Sequence, residues 1–231
     1  MQIALVTGAA RGIGREVALQ LVDAGYDVLV TARASEAAAE AAAEVGGTPL
    51  ALDVTAPATV DAAVAVVAER GGLDVLVNNA AAYSDWQETA LSADLDAVDT
   101  VWHTNVVGPW RLAQAFADQL QASEHGRIVN VTSAAGSHGE DRFGLSNGQA
   151  GTAPYAVTKA AANALTRKLA VALPSVKVNA VDPGLTATAP GMEEMGARPI
   201  VEGAASVVWA ATLPEDGPTG GFFRDGRPLP W

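Results

Sequence analysis

Short β-branched apolar runs alternate with longer helical patterns along this chain, and that alternation leaves few folds open. Ile3–Val6, Val28–Val30, Leu50–Leu52, Val75–Val77, Ile128–Val131 and Val176–Val181 read as strands. The stretches 13–24, 35–45, 56–70, 102–122, 155–173 and 201–212 read as helices. Most of the strand runs are apolar at successive rather than alternate positions, so both faces of the sheet must be covered. An α/β architecture follows: one domain over residues 1–231, with a doubly wound, mostly parallel sheet and helices on both faces. The Ala/Glu-rich stretch 34–44 has strong helix propensity and reads as scaffold.

Length and charge narrow the function classes. At 231 residues the chain can bury a substantial core. Hydrophobic residues make up 49% of it, yet no apolar run approaches the ~20 residues that span a bilayer. The N-terminal apolar run is too short, and has no basic residues before it, for a secretory signal. Without cysteine there is no disulfide, thiolate nucleophile or cysteine-bound metal. A soluble cytoplasmic protein with no membrane partner is expected. The formal net charge of −12 argues against a nucleic-acid partner, which needs a basic face. The same charge repels an anionic cofactor, so phosphates would have to be held by backbone N–H groups, a helix dipole and placed arginines.

Thr7-Gly8-Ala9-Ala10-Arg11-Gly12-Ile13-Gly14 follows the first strand and opens the first helix. Glycines there permit a tight turn and close approach of backbone to a pyrophosphate, with Gly8, Arg11, Gly12, Ile13 and Gly14 as the expected cofactor loop. The spacing departs from G-x-G-x-x-G, but its place after a buried N-terminal strand points to a dinucleotide and a Rossmann fold. The second strand ends Thr31-Ala32-Arg33, with no acid before Glu36. A carboxylate for a ribose 2′-hydroxyl is therefore missing where an NAD site places one. Arg33 and Arg11 around a 2′-phosphate favour NADP(H) over NAD(H); the alternative is that both are solvated surface residues. Asp53, with Val54, either accepts from an adenine amino group or caps the next helix.

Tyr155-Ala-Val-Thr-Lys159 puts a phenol and an ammonium one helical turn apart, on one face. A free phenol, with a pKa of about 10, is a poor base near neutrality; a nearby cation stabilises phenolate and lowers that value. Asn78-Asn79-Ala80-Ala81 follows the fourth strand, Asn105 lies in a helix, Ser133 follows the fifth strand, and Asp182-Pro183-Gly184 follows the sixth.

With the glycine loop, these motifs in this order resemble the short-chain dehydrogenase/reductase family in its single-domain form, across essentially the whole chain. The resemblance implies a seven-stranded sheet and transfer of hydride between the nicotinamide cofactor and a small ketone, aldehyde or corresponding alcohol. Tyr155 would be the acid, Ser133 would position the carbonyl oxygen, and Lys159 would lower the Tyr155 pKa and bind the nicotinamide ribose. Asn105 would hold a water in a proton relay. Asn79, Ala80 and Ala81 would line the adenosine side of the cofactor, and Pro183, Gly184 and Thr186 its nicotinamide end. The other class of function is a non-catalytic NADP(H)-binding sensor, which has no need of Tyr155 or Ser133.

Ala81 stands where the family has glycine, adding a methyl to the pocket. Ser133 and Tyr155 lie 22 positions apart, farther than in ordinary bacterial members, with the extra residues within 137–154. This insertion and the tail from Thr219 to Trp231 are similar to the carbonyl-reductase branch, so monomer and homo-oligomer both stay open. The segments 134–154 and 183–200 follow strand ends and read as substrate lids, with surface excursions as the alternative. Tyr83, Trp86, Phe143, Leu185 and Met192 are candidate pocket walls, favouring an apolar or mixed substrate. His103, His125 and His138 have no metal-ligand spacing, and no metal is expected. His138 is a candidate pocket residue, whereas Trp110 and Trp209 are expected in the helix core and Trp102 in the core or an interface.

Overall fold

The computed structural model describes residues 1–146 and 152–231. Every residue of β1 (Ile3–Val6) is buried, because successive side chains of a strand point to opposite faces and both faces here are covered. Ile3 and Leu5 enter one core with Leu29, Leu76, Ile128 and Val178. Ala4 and Val6 enter the other with Val28, Val30, Val75, Val77 and Val129. The first core is closed by α3 (Pro57–Glu69), α5 (Gly108–Ala115) and α7 (Ala153–Ala172), through residues such as Val60, Leu112 and Leu165. The second is closed by α1 (Gly12–Asp23), α2 (Ser35–Val45) and α8 (Ile200–Ala211), through Leu21, Ala42 and Val207.

The remaining strands are β2 (Asp27–Ala32), β3 (Thr48–Ala51), β4 (Val75–Asn78), β5 (Arg127–Val131), β6 (Lys177–Val181), β7 (Phe222–Arg224) and β8 (Arg227–Pro228). They form one sheet in the order β3-β2-β1-β4-β5-β6-β7-β8. Pairing is parallel except between β7 and β8. The expected Rossmann architecture is present, with eight strands rather than seven: Gly226, at φ 71°, lets the chain fold back after β7 and add a two-residue edge strand. Strand order reverses between β1 and β4, which opens a crevice beyond their C-terminal ends.

The expected helix 102–122 is instead several pieces. α4 (Leu95–Trp102) begins earlier, where Asp94 accepts from Asp96 N at 3.0 Å and Ala97 N at 3.3 Å. A π-helical turn, His103–Val107, joins it to α5, and α6 (Ala117–Ala122) follows. Pro109 explains the turn, since it has no N–H for the Asn105 carbonyl and its ring crowds that oxygen. Trp110 is not in the core as expected: it is 49% exposed. Trp102 is exposed too, while Trp209 packs on Phe223 with ring centroids 5.0 Å apart.

Candidate active site

The glycine loop is fixed from below by its own threonine. Thr7 Oγ1 donates to Val77 O (3.2 Å) and accepts from Asn79 N and Ala80 N, each at 2.9 Å. Ala9 N donates to Thr31 O (2.8 Å), tying the loop to β2. Gly8 has φ 64°, and a Cβ there would lie 3.0 Å from the Ala80 backbone. At Gly14 a Cβ would collide with the Asn79 amide and sit 2.6 Å from Gly8 O. Asn79 thus serves the loop itself, donating from its side chain to Thr7 O (2.8 Å) and Gly8 O (3.2 Å). Ala80 packs partly on the core and Ala81 is half-buried beside it.

Ile13 packs partly against the second core as α1 begins. Arg11, the residue before α1, makes no side-chain cap, and the first turn holds no acid. The helix therefore presents its first N–H groups and positive dipole end to the crevice. Arg11 and Arg33 are both exposed. Arg33 lies near enough to Asp53 to help hold its carboxyl below the ordinary value, although hydrogen bonding by Thr55 is the larger cause. Asp53 Oδ1 accepts from Thr55 N (2.9 Å) and Oγ1 (2.7 Å), closing a turn ahead of α3 without capping that helix. The Val54 side chain is in the core and its carbonyl accepts from Arg111 (2.8 Å). These features suit a dinucleotide: a backbone cradle, an uncapped helix start with Arg11 before it, and the Arg33 cation at the end of β2.

The strand ends and α7 bring Ser133, Tyr155 and Lys159 together. The side chains of Ser133 and Tyr83 lie close enough to the Tyr155 hydroxyl to act on its proton. Lys159 Nζ donates to Val131 O (2.9 Å) and lies 5.4 Å from the Tyr155 ring centroid. Burial pushes the Tyr155 phenol well above its usual value, reinforced by Tyr83 and opposed by the Ser133 hydrogen bond. The Lys159 ammonium faces the ring and Val131 O rather than the hydroxyl, and desolvation dominates the phenol. Lys159 itself is lowered to about 8 by burial, against the attraction of Asp182.

Asn105, in the π turn, is buried and uses its side chain as a strand-like clamp. Its Oδ1 accepts from Ala82 N (2.8 Å), and its Nδ2 donates to Ala82 O (2.9 Å) and Thr158 Oγ1 (3.1 Å). Thr158 in turn donates to Tyr155 O (2.8 Å). Thr158 was overlooked in the sequence, although a threonine next to Lys159 and three positions after Tyr155 faces the same side of the helix. Also unforeseen is the ladder from Asn78 to Asn130 (2.8 Å) to Thr166 (2.9 Å), which joins β4, β5 and α7 beneath the site.

Beyond β6, buried Asp182 accepts from Gly184 N (2.8 Å) and pairs with Arg224 of β7. Pro183 is buried, and the Thr186 hydroxyl turns back to Pro183 O (3.2 Å) and Gly184 O (3.0 Å). A bridge between Thr186 and Arg198 closes the excursion 187–197. An open cleft of about 380 Å³ runs along Ala187–Glu193, and Thr188 within it stands 3.7 Å from where a Gly12 Cβ would be. Met192 accepts from the Thr188 hydroxyl, and Leu185 O accepts from Arg198 N. Of the first lid, Ser137–Leu145 is folded on itself and on the tail: Ser137 Oγ donates to Pro230 O (2.7 Å), and His138 N and Gly139 N to Trp231 O. The His138 side chain is exposed, and Phe143 lies under Arg142, 4.7 Å from the guanidinium. Residues 147–151 of the expected insertion lie outside the described residues. His103 opens the π turn on the surface beside Asp99 of α4, and His125 pairs with Glu215 at 2.9 Å.

The family model for short chain dehydrogenases matches residues 2–197. The chain belongs to the short-chain dehydrogenase family. Its relatives in this family include 3-oxoacyl-acyl-carrier-protein reductase of Vibrio cholerae, 36% identical over 192 residues that cover 81% of this chain and 74% of that protein. Sorbitol dehydrogenase of Cereibacter sphaeroides is 37% identical, covering 79% and 69%. Among solved structures, the NADPH-bound carbonyl reductase of chicken fatty liver superposes with a TM-score of 0.86 at 27% identity, covering all of this chain and 94% of that one. Membership brings oxidoreductase chemistry on small molecules with a nicotinamide cofactor. Among the described residues, no helix is long and apolar enough to cross a membrane.

Proposed function

We propose that this short-chain dehydrogenase is a cytoplasmic, single-domain NADPH-dependent reductase of ketones or aldehydes, reversible as an alcohol dehydrogenase. The observation that carries the reading is Tyr155 beside Ser133, with Lys159 on the same helix face 5.4 Å from the phenol ring. The glycine loop, Arg11 and Arg33 would hold NADPH, whose chemistry there would be hydride donation to a carbonyl carbon. The chain's residues deal with the oxygen. Ser133 fixes it by a hydrogen bond, and Tyr155 gives it a proton as charge develops there. A phenol pushed upward by burial stays protonated near neutrality, as a proton donor must. Lys159, brought down to about 8, lies within range to recharge the phenol. The Asn105 carbonyl, which Pro109 deprives of its α-helical donor, would seat the water that links Lys159 to solvent. Asp182, although paired with Arg224, still acts on both groups as a negative charge.

NADPH is favoured over NADH because β2 ends in Arg33 rather than a carboxylate. A carbonyl screen with both cofactors tests the whole reading. Ketone-dependent NADPH oxidation faster than NADH oxidation is expected. Tight NADPH binding without turnover of any carbonyl compound would favour the sensor.

A further inference from the structure

Three aromatic rings meet at the Tyr155 hydroxyl. Tyr83 stacks on Tyr155, with centroids 5.0 Å apart and planes 22° from parallel. Trp86 lies 5.2 Å from Tyr83 and 5.8 Å from Tyr155. Tyr83 also meets Tyr155 through its hydroxyl.

The segment that carries Tyr83 and Trp86 is anchored at both ends. Asn105 holds both backbone groups of Ala82. Thr152 N and Ala153 N, at the start of the helix that bears Tyr155, donate to Trp86 O and Glu88 O, each at 3.1 Å. The rings are therefore positioned by the same hydrogen bonds that position Tyr155. Even so, Tyr83 remains 55% exposed and Trp86 59%. Large apolar faces left uncovered beside a reacting group mark a binding surface. Acidic groups of the segment are taken by its own backbone, Asp85 by Gln87 N (2.9 Å) and Glu88 by Asp94 N (3.1 Å). The wall thus offers aromatic faces and a hydroxyl, and no cation for a carboxylate or phosphate.

We infer that Tyr83 and Trp86 form the substrate wall of this site and select an aryl or other planar conjugated carbonyl compound, with the Tyr83 hydroxyl beside the reacting oxygen. The inference rests on Tyr155 as proton donor and adds a substrate class to it. Flat rings gain from stacking on an aromatic wall what a puckered ring of equal size does not.

Acetophenone and cyclohexyl methyl ketone are matched probes, compared by kcat/KM and by calorimetric Kd in wild type, Tyr83→Leu, Trp86→Leu and Trp86→Phe. In both leucine variants the aryl-to-cyclohexyl ratio of kcat/KM should fall about ten-fold, mainly through KM, and the acetophenone Kd should weaken by a similar factor. Trp86→Phe, which keeps a ring, should restore most of the ratio. Tyr83→Phe keeps the ring and the fold; it should preserve the ratio and lower kcat several-fold, and an unchanged kcat would remove the hydroxyl from the inference. An unchanged ratio and unchanged Kd in both leucine variants would overturn the wall. If wild type reduces neither ketone with either cofactor, yet acetophenone binding still weakens in the leucine variants, the wall stands and the reductase reading falls.

Discussion

Lys159 Nζ stands 5.4 Å from the centre of the Tyr155 ring, held there by its 2.9 Å bond to the Val131 carbonyl. The ammonium is buried, 4% exposed, with Asp182 as the carboxylate that acts on it. Burial works in opposite directions on the pair: it raises the phenol, whose charged form is an anion, and lowers the amine, whose charged form is a cation. The two values are thereby pushed apart, leaving a protonated phenol beside an amine that titrates near neutral pH.

Lys159 should make stability depend on pH. Its folded value, about 8, is below its unfolded value of 10.5, so between these the unfolded chain binds more protons and stability rises with pH. Below pH 8 the burial penalty is complete. With no nucleotide added, Lys159→Met should be more stable than wild type at pH 7 by about 2 kcal/mol, after allowing for the lost Val131 bond. The gain should shrink as pH rises toward 10.5, as urea titrations across pH 7–10 would show. An equal gain at every pH contradicts a buried, shifted lysine.

Asn105→Ala leaves both backbone groups of Ala82 without their partner and removes the donor to the Thr158 hydroxyl, which keeps its bond to Tyr155 O. A loss of about 2–4 kcal/mol in urea unfolding is expected. Thr158→Val should cost less, about 1 kcal/mol, since it breaks one link to Asn105 and one to Tyr155 O.

The sequence made much of this legible where burial was uniform. β1, β2, β4, β5 and β6 are almost wholly buried and mostly aliphatic, so their pattern and their cover on two faces agree. β3 is half-exposed on alternate residues and starts Thr48-Pro49, which shifted its expected position to Leu50–Leu52. The π turn was hidden because an apolar helical pattern continues through 102–122, while Pro109 changes hydrogen bonding without changing hydropathy. Ser133, Tyr155 and Lys159 came together as expected, since two lie one turn apart and the third sits at the end of β5. Tyr83 and Trp86 were placed only as candidate walls, and Arg224 not at all: nothing local ties a tail arginine to Asp182, 42 positions away.

Arg33→Asp should reverse the cofactor preference. Removing the cation and adding a carboxylate for a ribose hydroxyl should lower kcat/KM with NADPH at least ~10-fold and raise it with NADH. Parallel steady-state assays check this; an unchanged ratio refutes the 2′-phosphate reading.

Arg224→Met leaves Asp182, which is 3% exposed, as an unpaired buried charge. A loss of about 3 kcal/mol is expected, recovered in large part by adding Asp182→Asn. Equilibrium unfolding of the two single variants and the double variant measures the coupling.

The most direct test of the proposed chemistry is ketone-dependent NADPH oxidation by Tyr155→Phe, with NADPH affinity measured alongside. The phenylalanine keeps the ring packing against Tyr83 and Trp86 and removes only the proton donor. A fall in kcat of about 10³-fold, with the NADPH Kd within a few-fold of wild type, is the predicted result. Turnover within a few-fold of wild type would contradict the assignment of Tyr155 as the acid.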